Sequence, residues 1–296
     1  MPAETSSRRI LVTGASTGIG RATAKELVER GWYVYAAVRR EKDAESLRKE
    51  LGASGEPVLM DVTDQPSIDA AAGHLGAAGP LDAVVNNAGI AIGAPLEFLP
   101  LDDFRRQLEV NLTGQLAVTQ AFLPQLRKTR GRVVFVGSIG GRVASPLLGA
   151  YSASKFALAA LADSLRAELK PSDIKVILVE PGTIATEIWS TAVSAGRALY
   201  DRLPVEARRY YGAAMEATIN TAEERGGNGL APEAAARVLV RALERPNPRP
   251  RYLIGRDARF ASVIPYLPAT LRAYLVATQM PAGPAKDTPS PAITDR

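Results

Sequence analysis

Ile10-Leu11-Val12-Thr13-Gly14-Ala15-Ser16-Thr17-Gly18-Ile19-Gly20 is the stretch on which the fold turns. A short apolar run passes directly into a glycine-rich turn and then into a helical pattern from Ile19 to Arg30, so it reads as strand, turn, helix. Glycine at 14, 18 and 20 lets the backbone come close to a pyrophosphate. The helix amino terminus adds unpaired N–H groups and a favourable dipole. Ser16, Thr17 and Ile19 share the turn and become candidate contacts with such an anion. Glycines also close ordinary strand-to-helix connections, so the surrounding sequence has to decide.

Working outward, short apolar runs at Val34 to Val38, Val58 to Met60, Ala83 to Val85, Val133 to Val136 and Val176 to Val179 read as further strands. Between them Glu41 to Leu51, Gln65 to Gly76, Asp102 to Arg127 and Tyr151 to Leu169 read as helices. The alternation predicts an α/β protein: a three-layer αβα, doubly wound parallel sheet of the Rossmann type, with its site at the carboxyl ends of the strands. Thr183 to Gly229 breaks the rhythm with a mixed polar and aromatic segment, expected to cover the site. Order resumes with a helix at Pro232 to Leu243 and a strand at Tyr252 to Ile254. We therefore expect one domain over residues 8–255, with 183–229 as a lid, an apolar and basic extension over 256–280, and a disordered proline-rich tail over 281–296.

Composition narrows the chemistry. With 46% hydrophobic and 23% charged residues in 296, the chain can bury a large core. It has no cysteine, which removes disulfides, thiolate metal sites and cysteine nucleophiles. The single histidine, His74, cannot build a metal site alone. The net charge of +5 comes from scattered basic residues rather than a Lys/Arg block, so nucleic acid is not an expected partner. Met1 to Arg9 has no long apolar run, and the protein is expected in the cytoplasm.

Two places carry functional chemistry. After the second strand, where an acidic residue would bind a ribose diol, stands Arg39. A guanidinium can fork onto a 2′-phosphate, which favours NADP(H), with NAD(H) as the alternative. Farther on, Tyr151 and Lys155 are spaced i and i+4, on one helix face. A free phenol, with a pKa of about 10, exchanges its proton too slowly at neutral pH. At an effective dielectric of ~20 an ammonium ~4 Å away contributes ~4 kcal/mol, or ~3 pKa units, so Lys155 is expected to pull Tyr151 toward neutrality. Ser138 follows the strand Val133 to Val136 at the sheet's carboxyl edge, and Asn111 sits inside a helical pattern, where asparagine is mildly unfavourable.

Thr13-Gly-x-x-x-Gly-Ile-Gly20 with Asn111, Ser138, Tyr151 and Lys155 resembles the short-chain dehydrogenase/reductase family over about residues 8 to 190. The resemblance implies that Tyr151 exchanges a proton with the substrate oxygen and that Ser138 hydrogen-bonds the same oxygen. Lys155 would lower the Tyr151 pKa and hold the nicotinamide ribose, and Asn111 would hold a water linking Lys155 to solvent. It also implies adenine contact by Asp61-Val62, a structural turn at Asn86-Asn87-Ala88-Gly89 that includes Asn87, and nicotinamide contact by Pro181, Gly182, Ile184 and Thr186.

The sequence beyond Thr186, with Glu180-Pro181-Gly182 and Arg251-Tyr252-Leu253-Ile254-Gly255, resembles the retinol and hydroxysteroid dehydrogenase branch. A lipophilic small-molecule substrate, alcohol or carbonyl, is the expectation. The alternatives are a 3-ketoacyl thioester reductase and, outside catalysis, an NADP(H)-sensing binding protein. Between Arg245 and Arg272 lie six arginines and one acid, among apolar residues such as Phe260 and Tyr266. Peripheral membrane contact and a subunit interface in a homo-oligomer both fit that segment.

Overall fold

The computed structural model describes residues 7–280 and consists of one sheet wrapped by helices. Seven strands are arranged in the order β3-β2-β1-β4-β5-β6-β7: β1 Arg9–Thr13, β2 Tyr33–Val38, β3 Gly55–Leu59, β4 Ala83–Asn86, β5 Arg132–Val136, β6 Lys175–Pro181 and β7 Arg251–Ile254. Every pairing is parallel, with Val12 beside both Ala36 and Val85. The order reverses between β1 and β4, which opens a crevice at their carboxyl ends.

The strands are apolar throughout because both faces are covered. One face, carrying Val12, Val34 and Val134, packs on α1 (Gly18–Glu29), α2 (Glu41–Leu51) and α9 (Pro232–Glu244). The other, carrying Leu11, Val84 and Phe135, packs on α3 (Gln65–Ala78), α5 (Gly114–Thr129) and α6 (Gly149–Glu168). β3 begins earlier than expected, at Gly55, and includes Pro57. An edge strand tolerates a residue with no N–H, and β3 is an edge.

The helix expected from Asp102 to Arg127 is three pieces. α4 (Leu101–Leu108) and α5 flank a π-turn at Glu109–Thr113 that contains Asn111. The expected irregular lid over 183–229 is a second correction: most of it forms two long helices, α7 (Glu187–Arg202) and α8 (Val205–Asn228). Val193, Gly196 and Leu199 are buried at i, i+3 and i+6, one face of α7. Ala207, Ala214 and Met215 of α8 join Leu147 and Leu203 in a small separate core.

The extension beyond β7 is broken into α10 (Arg256–Ala261), a short 3₁₀ turn at Ile264–Tyr266 and α11 (Ala269–Ala277), with prolines at its joints. The tail expected over 281–296 lies outside the described residues. Among the described residues no helix is long and apolar enough to cross a membrane.

Candidate active site

The glycine turn is built for a close backbone neighbour. Gly14 and Gly18 have φ of 62° and 54°, a region other residues enter at a cost. A Cβ at Gly20 would stand 2.3 Å from the Gly14 carbonyl oxygen. Thr17 is the N-cap of α1 yet makes no side-chain capping bond, and the first turn holds no acid, so its N–H groups remain available to an anion. The residues present therefore fit a pyrophosphate.

Thr13 and Asn87 fasten this turn to β4. The Thr13 hydroxyl accepts from the Asn87 and Ala88 N–H groups at 2.9 and 3.0 Å, and Asn87 Nδ2 donates to the Thr13 and Gly14 carbonyls. Ser16 contributes its carbonyl to Arg21, and Ile19 packs against the core.

At the end of β2, Arg39 and Arg40 are both exposed. Arg40 is bound to Asp43, Nε to Oδ2 at 2.8 Å, whereas no hydrogen bond or ion pair among the described residues engages Arg39. After β3, Asp61 Oδ1 accepts from Thr63, and the Val62 side chain is buried. After β6, Gly182 bonds the Ile254 carbonyl, while Ile184 is buried and bridges to Leu230. Thr186 lies against the glycine turn, its Cγ2 2.9 Å from where a Cβ on Gly18 would be.

Ser138, Tyr151 and Lys155 meet beyond β5. Ser138 Oγ accepts from Gly140 N–H at 3.0 Å, which leaves its own proton to donate. Gly140 lies against the Tyr151 ring, where an added Cβ would be 3.2 Å from Cε1. Lys155 is 5% exposed, and its Nζ donates to the Val136 carbonyl at 2.9 Å. The ammonium is 5.8 Å from the Tyr151 ring centre.

The expected charge effect is overturned here. Burial pushes the Tyr151 phenol up, opposed only by the Ser138 hydroxyl. Burial also pushes Lys155 down to about 8, so it loses part of the charge that would act on Tyr151. The i, i+4 spacing brings the pair to one face, but Lys155 extends toward Val136 rather than the phenol.

Asn111 is fully buried, with Oδ1 accepting from Ile90 N–H and Nδ2 donating to the Ile90 carbonyl and to Ser154 Oγ. Ser154 in turn donates to the Tyr151 carbonyl at 2.7 Å. One turn before Asn111, Gln107 brackets the same loop, accepting from Ile92 N–H and donating to the Ile90 carbonyl. Sequence reasoning passed over Ser154 and Gln107. A signal existed for Ser154, which is four residues from both Ala150 and Leu158 and so lies on the buried face of α6.

A small apolar pocket lies between α7, α8 and the loop that ends at Leu148, the N-cap of α6. Leu147, Leu148, Val193, Met215 and Ile219 line it, and Thr218 is its one hydroxyl. That hydroxyl is already bonded to the Ala214 carbonyl.

A sequence model described as short chain dehydrogenase matches residues 8–196. The chain belongs to that family. Short-chain dehydrogenases are alcohol and carbonyl oxidoreductases that use a nicotinamide cofactor, and this chain is one of them.

It is 37% identical over 257 residues to 3-amino-tetrahydro-pyrrolizinone reductase of Xenorhabdus hominickii, covering 85% of this chain and 88% of that one. With mouse (Mus musculus) retinol dehydrogenase 16 it is 38% identical over 274 residues, covering 88% and 85%. A solved short chain dehydrogenase of Burkholderia cenocepacia in complex with NADP superposes with a TM-score of 0.70 at 28% identity, covering 93% and 98%.

Proposed function

We propose that the protein interconverts an alcohol and its carbonyl on a lipophilic small molecule with NADP(H), acting in the cytoplasm or at a membrane surface facing it. The observation that carries this is the apolar pocket lined by Leu148, which caps the helix of Tyr151 and Lys155, with Ser138 held against the same tyrosine. A ligand there meets hydrocarbon on most sides and has few polar groups to answer.

The cofactor supplies or receives the hydride; the chain does the rest. Tyr151 hands its hydroxyl proton to the carbonyl oxygen in reduction and takes it back in oxidation. Ser138, held by the bond it accepts from Gly140, donates to the same oxygen and fixes its orientation. Lys155 holds the ribose hydroxyls and returns a proton to Tyr151. Asn111 keeps one Oδ1 lone pair with which to accept from a water, and its other bonds hold the Ile90 loop and Ser154 in place.

Gly14, Ser16, Thr17, Gly18, Ile19 and Gly20 cradle the pyrophosphate, and Asn87 holds their turn. Arg39, which meets no competing acid among the described residues, takes the 2′-phosphate; the NADP-bound neighbour from Burkholderia cenocepacia supports that preference. Asp61 and Val62 border the adenine. Pro181, Gly182, Ile184 and Thr186 face the nicotinamide. The reductase and retinol dehydrogenase relatives support a carbonyl or alcohol substrate.

The test is NADPH oxidation with a 3-ketosteroid, all-trans-retinal, 2-dodecanone and an acetoacetyl thioester. Wild type turns over at least one of the first three faster than the thioester. Tyr151→Phe binds NADPH and loses activity by about 10²-fold or more. Binding of NADPH with no turnover of any carbonyl would return the protein to the sensing class.

The C-terminal extension supports a second contact. Phe260, Val263, Tyr266 and Tyr274 are 59–82% exposed beside Arg256, Arg259 and Arg272. Anionic lipid and a second copy of the chain both suit such a surface. Sedimentation with phosphatidylserine vesicles at low salt, set against light scattering of the protein alone, separates the two.

A further inference from the structure

The turn that carries Ser138 is fixed at three points. Gly137 N–H donates to the Val179 carbonyl at 2.7 Å, and a Cβ at Gly137 would approach Leu178 to 3.0 Å. On the opposite side a Cβ at Gly141 would stand 2.7 Å from the Lys155 carbonyl oxygen. The sheet and α6 therefore grip the turn from two directions. The third point is ionic. Arg142, at the end of the turn, donates from Nε and Nη2 to both carboxylate oxygens of Glu180, at 2.7 and 2.6 Å.

Glu180 is 1% exposed and directly precedes Pro181. A buried carboxylate is costly unless it is paired and held. Arg251 of β7 adds a bond to Glu180 Oε1 at 3.3 Å and pairs with Asp163 of α6. Asp163 also pairs with Arg166, whose Nε donates to the Val176 carbonyl at 2.9 Å. This chain of charges connects the Ser138 turn, the helix of Tyr151 and Lys155, and the strand that leads to Pro181. A two-point bond between a planar guanidinium and a carboxylate restrains direction as well as distance.

We propose that Arg142 is a positioning residue: its fork on buried Glu180 sets where the Ser138 hydroxyl stands relative to Tyr151. This rests on the reading of Ser138 as the donor to the reacting oxygen. A lysine at 142 keeps the charge but loses the fork, so it retains only part of the effect.

The test is a double-mutant cycle on kcat, KM and NADPH affinity, using the fastest ketone of the panel above. Arg142→Met lowers kcat about 10-fold or more, with NADPH affinity within about 2-fold of wild type, and Arg142→Lys falls between. In a Ser138→Ala background Arg142→Met changes kcat by less than about 2-fold, because the group it positions is gone. Equal losses in both backgrounds, or a wild-type kcat in Arg142→Met, overturn the proposal. If Arg142→Met does not fold, Arg142→Lys is run through the same cycle under the same criterion. Wild type inactive on every carbonyl of the panel would instead overturn the proposed function, and this role with it.

Discussion

Lys155 should make the cofactor-free protein less stable at neutral pH than a variant without it. Its pKa falls from 10.5 to about 8 on burial, a shift worth about 3 kcal/mol. The unfolded chain binds more protons at this group between pH 8 and 10.5, so stability rises with pH across that window and the penalty is fully present below it. Between pH 7 and pH 9.5 the wild type should therefore gain about 2 kcal/mol relative to Lys155→Met, roughly 4–8 °C in Tm for a chain of this size. Other titrating groups are common to both proteins and cancel in the difference. At pH 7 the variant also loses the bond to the Val136 carbonyl, which offsets about 1–3 kcal/mol of its advantage, so its Tm should lie near or above that of wild type. The assay is calorimetry of both proteins at the two pH values without cofactor, alongside turnover, which the variant should lack. A Tm difference that stays flat with pH, or moves the other way, would refute the buried-ammonium argument.

Three further outcomes follow from the same geometry. Arg39→Ala should weaken NADPH binding about 10-fold and leave NADH unchanged in fluorescence titration; an unaltered ratio would remove Arg39 from the 2′-phosphate site. Gly140→Ala should lower kcat about 10-fold with NADPH affinity retained, because the new methyl meets the Tyr151 ring at 3.2 Å; wild-type kinetics would show the ring has room to move. Gly196→Ala adds a Cβ at 3.8 Å from Ile219, an ordinary contact inside a helix, so it should stabilise by up to about 1 kcal/mol while slowing the bulkiest substrate most; a lower Tm would contradict the placement of α7.

What the sequence shows and hides has physical causes. Strands buried on both faces read as unbroken apolar runs, so β1, β2 and β4 to β6 were legible. Pro57 concealed the start of β3 because its tolerance depends on which strand lies at the edge. The helix α7 left a trace in the spacing of Val193, Gly196 and Leu199, but charged and aromatic neighbours obscured it. Of the four proton-transfer candidates, three, Ser138, Tyr151 and Lys155, gather beyond β5, and Asn111 joins them through Ser154. The direction of the Tyr151 shift was not legible, since a sum over charges leaves out the hydration that burial removes. Gln107 acts on the backbone of Ile90 and Ile92 and Ser154 accepts from the Asn111 side chain, partners distant in sequence that appear only in the fold.

The π-turn at Glu109–Thr113 makes this part of the chain tolerant of the loss of one residue where a regular helix is not. Such a turn takes one residue more than a regular helix to go round once, so the helix beyond it keeps the phase it would have if that residue were absent. Loss of a single codon there would let α4 and α5 fuse into one continuous helix, with Val118, Phe122 and Leu126 still facing the sheet. The same deletion inside α5 ahead of Val118 would turn those side chains by about 100° and draw them out of the core.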